Sequence, residues 1–163
     1  MSARALPSFV LFATHLVAAA LLARPTRLSP AWLVAGAALP DLVDKPLAGL
    51  GVVDLYHTVG HSALLAVLVV PVALTGRAGL SAAVGWGSHL LLDALHIVVN
   101  GRPTDALFLG WPLVVPPDPL ALPPDDFVFY YLWSPSFLLE FLIWGALAVV
   151  VARRHRARRA ASG

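Results

Sequence analysis

Ionisable residues at helical spacing stand out in a sequence otherwise poor in them. His89 and Asp93 are four residues apart and His96 follows three later, so on a helix the three share one face. His57 and His61 are again four apart, Asp41 and Asp44 are three apart, and His15 sits alone in an apolar run. With no cysteine in the chain, disulfides, thiolate metal sites and Cys nucleophiles are excluded, and any metal centre must be built from imidazole and carboxylate. Two His and one carboxylate form a catalytic zinc set that leaves a position open for water. Five or more such ligands suit two ions about 3.5–4 Å apart.

The elements that carry these residues are strongly apolar. Of the 163 residues 59% are hydrophobic and only 12% charged, against about 25% charged in an average soluble domain. The expected fold is therefore all-α: one domain over residues 1–163, a polytopic integral membrane bundle of about four or five transmembrane helices. The first apolar segment covers about 7–23 and holds His15. The second, about 30–42, opens on Ser29-Pro30 and closes on an acidic stretch bracketed by Pro40 and Pro46, which points to a broken or re-entrant element. A third helix is expected to open near His57 and run to Leu74, and a fourth to cover about 80–99. The connection 100–126 holds seven of the fourteen prolines, and Asp105, Asp118, Asp125 and Asp126 within it read as solvent-facing. A last helix begins in an aromatic belt of Phe127, Tyr130, Tyr131 and Trp133 and runs to Ala152.

Cations set the orientation. Five of the eleven lie in one terminal run, Arg153, Arg154, Arg156, Arg158 and Arg159, a cytoplasmic membrane flank rather than a nucleic-acid surface. Counting back through five crossings puts Arg77, Arg24 and Arg27 on the same side, and Arg4, Lys45 and Arg102 on the other. In that arrangement His15 lies about 12 Å and His89 about 15 Å below the outer helix ends, with Asp41, Asp44, His57 and His61 also in the outer half. Beside this shared-site reading stand plainer ones. His15 alone could bond a backbone carbonyl, Asp41 could cap a helix or pair with Lys45, and the Asp44–Lys45 pair is the more natural of the two. His57 could be an interfacial residue beside Tyr56, His96 could snorkel from a helix end, and His155 reads as solvated.

Thr14-His15, Leu39-Pro40-Asp41, His61-Ser62 and Gly87-Ser88-His89-Leu90-Leu91-Leu92-Asp93 together resemble the YdjM-like family of membrane-bound metal-dependent hydrolases, over about residues 14–112. The resemblance implies metal ligands at His15, Asp41, His61, His89 and Asp93. The order His, Asp, His, His-x3-Asp is more distantly similar to zinc-dependent phospholipase C.

The function expected is hydrolysis of a phosphoester or lipid-linked substrate through metal-activated water, with one or two zinc ions as cofactor. His57 is the candidate general acid or base and Asp44 a bridging or supporting carboxylate. The expected partners are the lipid bilayer and a lipid-linked substrate, with no nucleic acid, and self-association is open. A proton or metal-ion transporter and a non-catalytic metal-binding membrane protein are the competing readings, since His and Asp in a Pro-broken helix also describe an ion path. The cation bias makes a first testable statement about the cell membrane. Reporter fusions at Ser162 and Asp118 should report opposite sides, the former cytoplasmic; the same side for both overturns the orientation.

Overall fold

The computed structural model describes residues 6–117 and 129–162, and they are all-helical. Helix α1 spans Leu6–Thr26, α2 Pro30–Gly49, α3 Ala66–Ala73 behind a 3-10 turn at Ala63–Leu65, α4 Arg77–Val99 and α5 Pro135–Ser162. A second 3-10 stretch, Pro103–Gly110, follows α4. Arg4, Phe127, Asp118, Asp125 and Asp126, to which the sequence assigns sides or exposure, lie outside the described residues.

The last helix starts at Pro135, after the aromatic belt, and runs past Ala152 to Ser162, and two further helix expectations change. α2 does not break at its acidic stretch but continues through Pro40 and Pro46 to Gly49. The ring of a proline inside a helix collides with the carbonyl four residues earlier and removes one hydrogen bond; for Pro40 that carbonyl belongs to Gly36. The packing of α2 against α4 holds the helix together across this defect. The other correction concerns His57 and His61. They are not on a helix at all, because residues 51–61 form turns and bends and helical structure resumes only at Ala63.

Named contacts set the helix directions. At their starts, the Ser29 amide of α2 donates to Ser81 Oγ of α4 at 3.0 Å. Towards their ends, Asp41 Oδ1 lies 3.9 Å from His89 Nε2. The two helices are therefore parallel. α1 runs antiparallel to α2, with the Lys45 ammonium over the Phe12 ring, and α5 runs antiparallel to α4, with Asn100 bonded to Ser136. The stretch from residue 50 to 76 must therefore return the chain to the start of α4. In this arrangement Arg24, Arg27, Arg77 and the C-terminal arginines share one end of the bundle, and Lys45 and Arg102 the other.

Side-chain burial runs opposite to that of a water-soluble core. The small apolar centre is Ala19, Leu33 and Ala37. Most buried side chains are polar, including Thr14, His15, Asp41, Asp44, His61, Ser81, His89, Asp93, His96 and Glu140. Trp32, Leu39, Leu42, Leu91, Phe141 and Leu142 face outward. Among the described residues two helices, α4 and α5 over Pro135–Ala161, are long and apolar enough to cross a membrane, fewer than the four or five expected. Their most apolar windows are only 28% and 11% buried. α2 carries Asp41, Asp44 and Lys45, three charges within its 20 residues.

Small residues let α2 and α4 meet backbone to backbone. A Cβ at Gly36 would lie 2.0 Å from the Ala82 carbonyl oxygen, and one at Gly85 2.0 Å from that of Leu33. Backbone cannot swing aside as a side chain can, so the helices would have to separate. Gly85→Ala should therefore lower stability by about 1–3 kcal/mol or more, read as earlier thermal unfolding in detergent. Gly87→Ala, where a Cβ meets nothing within 4 Å, should leave the transition in place.

Candidate metal centre

Asp44 organises the cluster. Fully buried on α2, its carboxylate accepts the backbone N–H groups of Thr58 at 2.7 Å, Gly60 at 2.8 Å and His61 at 3.2 Å. It also meets His61 Nδ1 at 2.7 Å. The irregular segment thus finds on one side chain the acceptors that a helix would have supplied. Gly60 is required where it passes Pro40, since a Cβ there would lie 2.7 Å from the Pro40 carbonyl oxygen. Asp44 also sets the His61 tautomer: with Nδ1–H donated to the carboxylate, the Nε2 lone pair is left for a cation.

Three side-chain atoms converge in front of that lone pair. His61 Nε2 lies 3.1 Å from His89 Nε2, 3.6 Å from Asp41 Oδ1 and 3.3 Å from Asp93 Oδ2. His89 Nε2 lies 3.2 Å from Asp93 Oδ2 and 3.9 Å from Asp41 Oδ1. A tetrahedral ion with bonds of about 2.0–2.1 Å spaces its ligand atoms about 3.3 Å apart. These five separations scatter around that value. Asp93 Oδ2 is buried and accepts no hydrogen bond, although a buried carboxylate oxygen ordinarily requires a donor or a cation. Charge points the same way. Asp41, Asp44 and Asp93 against Lys45, whose Nζ is 2.7 Å from Asp41 Oδ2, leave a formal deficit matching one divalent cation. The donor set of imidazole and carboxylate suits zinc.

Around this quartet lie the remaining candidates. His57 Nε2 stands 3.6 Å from Asp93 Oδ2, and its side chain is 40% exposed, so it occupies the rim. His15 approaches the other oxygen of the same carboxylate, Nε2 to Oδ1 2.8 Å, and its ring packs against His89 with centroids 4.2 Å apart. All seven of the proposed residues, His15, Asp41, Asp44, His57, His61, His89 and Asp93, are thus in one cluster. Asp44 stands apart in role: its oxygens are taken by backbone amides and the His61 ring, so it positions rather than faces the ion.

Three assignments differ from the sequence reading. His96 does not snorkel to an interface but is 5% exposed, inside the bundle. Asp105 is buried too, paired with Arg102 Nε at 2.7 Å rather than facing solvent. Phe108 has no site role by its position in the sequence, yet it is buried over the site, its ring 5.1 Å from His57 and 6.1 Å from His61. Apolar character in an otherwise irregular Pro-rich connection was the signal for it. Glu140 of α5 faces inward beside Tyr131, whose phenol is pushed up by burial and further by Glu140.

No protein-family model matches the chain, and no curated protein or solved structure matches it.

Imidazole orientation by a carboxylate can be tested directly. Asp44→Asn puts an amide in place of one acceptor oxygen and should weaken zinc binding by about 10–100-fold, measured by competition with a chromogenic chelator. His155, exposed in the C-terminal run, should tolerate alanine without change.

Proposed function

We propose that this chain is a membrane-embedded, metal-dependent hydrolase of phosphoester, lipid-linked substrates, of the kind the YdjM-like resemblance implies. The observation that carries the proposal is the buried group of His61, His89, Asp41 and Asp93, five of whose ligand-atom separations lie at 3.1–3.9 Å, with the Asp93 Oδ2 among them accepting no hydrogen bond. A water-soluble protein would not surround such a cluster with outward-facing Trp32, Leu39, Leu42 and Leu91; a bilayer would.

In this reading α1 and α2 cross as well as α4 and α5. At 21 and 20 residues they are each about 30 Å long, enough for the hydrocarbon layer. Asp41 and Asp44 of α2 turn inward and leave its outer face apolar, while Lys45 reaches the outer end. Ala63–Ala73 is too short to cross as a helix, so the return to α4 is part helix and part turn, held against protein as irregular backbone must be. The arginine-rich end faces the cytoplasm, and the metal centre opens in the outer half of the cell membrane.

When bound, zinc would polarise a phosphoryl oxygen and lower the pKa of a water. The chain supplies the rest. Asp44 and the Thr58–His61 backbone hold His61 in its ligating tautomer. Lys45 neutralises the second oxygen of Asp41 and leaves the first for the ion. Hydrolysis joins the water oxygen to phosphorus and breaks the bond to the leaving alkoxide. His57, at the rim and within reach of Asp93, is the group to take the proton the attacking water loses and hand it to that alkoxide. Phe108 closes the site against water. Beside His61-Ser62 lies an apolar cleft of ≈130 Å³ lined by Val59, Leu64, Leu65, Trp111 and Pro112, suited to an acyl or prenyl chain. Ser62 Oγ holds the cleft together by donating to the Trp111 carbonyl.

Transport fits less well. Between the cluster and the arginine-rich end the core is Ala19, Leu33 and Ala37, fully buried, with the Gly36 and Gly85 backbone contacts at the same level. An ion path would need polar groups to continue through it.

Detergent-purified protein should hold zinc, release it steeply below about pH 6 as its imidazoles protonate, and cleave a phosphoester. That activity should vanish with chelator and return with metal. His89→Ala should lose both metal and activity, whereas Trp111→Ala should keep metal and lose turnover on long-chain substrates. Metal-replete protein that cleaves nothing across a broad phosphoester panel, yet moves ions in liposomes, replaces this reading with transport.

A further inference from the structure

His96 is the one buried histidine with no assigned task. It is 5% exposed, and neither of its ring nitrogens has a hydrogen-bond partner. An imidazole carries one donor and one acceptor, and leaving both unmade in a buried site costs the desolvation of each. Its surroundings are not apolar. One helical turn back on α4 is Asp93, and across from it is His15, with ring centroids 5.8 Å apart in an edge-on arrangement. His15, Asp93 and His96 can each offer one atom to a common point, all within 4.8 Å of one another, and all three residues are buried.

The Asp93 carboxylate divides between two neighbourhoods. Its Oδ2 faces His61 and His89 at 3.3 and 3.2 Å. Its Oδ1 turns the other way, to His15 Nε2 at 2.8 Å. A carboxylate that presents one oxygen to each of two nitrogen-rich sites has the arrangement of a bridging ligand in a two-metal centre, where the ions lie about 3.5–4 Å apart.

Ligand arithmetic supports the same division. The His61, His89, Asp41 and Asp93 quartet supplies four side chains, which fills a tetrahedral ion. A site so filled admits water only by expanding to a fifth position. The His15, Asp93 and His96 trio supplies three, the number that leaves one position open.

We propose that the chain holds a second divalent cation, bound by His15, Asp93 Oδ1 and His96 and bridged to the first through Asp93. The inference rests on the reading of Asp93 as a ligand of the first ion. The second ion is the one with an open position. The three carboxylates and Lys45 balance only the first ion, so the second leaves net positive charge, which suits an anionic phosphoester and makes the second equivalent the weaker to bind.

The test uses the full chain in detergent with Mn2+ as the probe, read by metal counting after equilibrium dialysis and by electron paramagnetic resonance. Wild type should take up two equivalents, the second at least about tenfold weaker, with a spin-coupled spectrum at saturation. His96→Ala should take up one, with an uncoupled six-line spectrum, and His61→Ala should lose the tighter equivalent. Two equivalents retained in His96→Ala overturn the proposal, as does a wild-type protein that saturates at one equivalent with an uncoupled signal. In the second case the first site, and the hydrolase reading with it, still stands. A wild-type protein that binds none overturns both. If His96→Ala does not purify folded, His96→Gln serves, and the wild-type spectrum decides by itself.

Discussion

Everything in the site depends on where the Asp44 carboxylate finds its hydrogen bonds. A buried carboxylate inside a low-dielectric bundle must be satisfied, and Asp44 is satisfied by three consecutive-region amides and one imidazole from a segment with no regular structure of its own. The dependence is mutual. Residues 58–61 need acceptors for their N–H groups, and α2 needs donors for its acid. Their pairing draws the chain back across the end of α2, brings His61 to face α4, and sets which ring nitrogen is free. Without that pairing His61 has no fixed place opposite His89 and Asp93.

Helix packing makes the pairing possible. Gly36 and Gly85 bring α2 and α4 into backbone contact, so Asp41 on one helix and His89 on the other reach a common point. Parallel packing of two helices requires a return segment between them, and that segment carries His57 and His61. The same close contact supports a helix that contains two prolines. The small-residue seam, the Pro-tolerant helix and the candidate metal centre are therefore parts of one arrangement.

Solvent preference separates the two surfaces of the bundle. Polar groups satisfy one another inside, and leucine, valine and aromatic side chains face outward. For a chain in lipid this reversal is the favourable state, since the outer residues lose nothing and the inner ones would find no partners elsewhere. It also concentrates charge. Three carboxylates and five imidazoles, His96 included, gather in one half of the bundle while most of the arginines gather at the other end.

Composition alone determined the helical class, and the i,i+4 spacing of His89 and Asp93 determined that they share a face, because helix periodicity is a local property. The grouping of Arg24, Arg27 and Arg77 with the C-terminal run was also legible, since it follows from the number of passes. Four things were decided only by tertiary structure. The proline pair looked like a break, but contact with α4 outweighed local propensity and α2 continued. His57 and His61 had helical spacing without a helix, because Asp44 competed for the backbone amides that a helix would have used. His96 and Asp105 look solvated by position, yet the packing of the bundle around them buries them. Phe108 lies in an apolar run of the Pro-rich connection, but only the folded chain shows which side chains that run covers. Burial and the choice of hydrogen-bond partner depend on what arrives from elsewhere in the chain, and no local pattern encodes that.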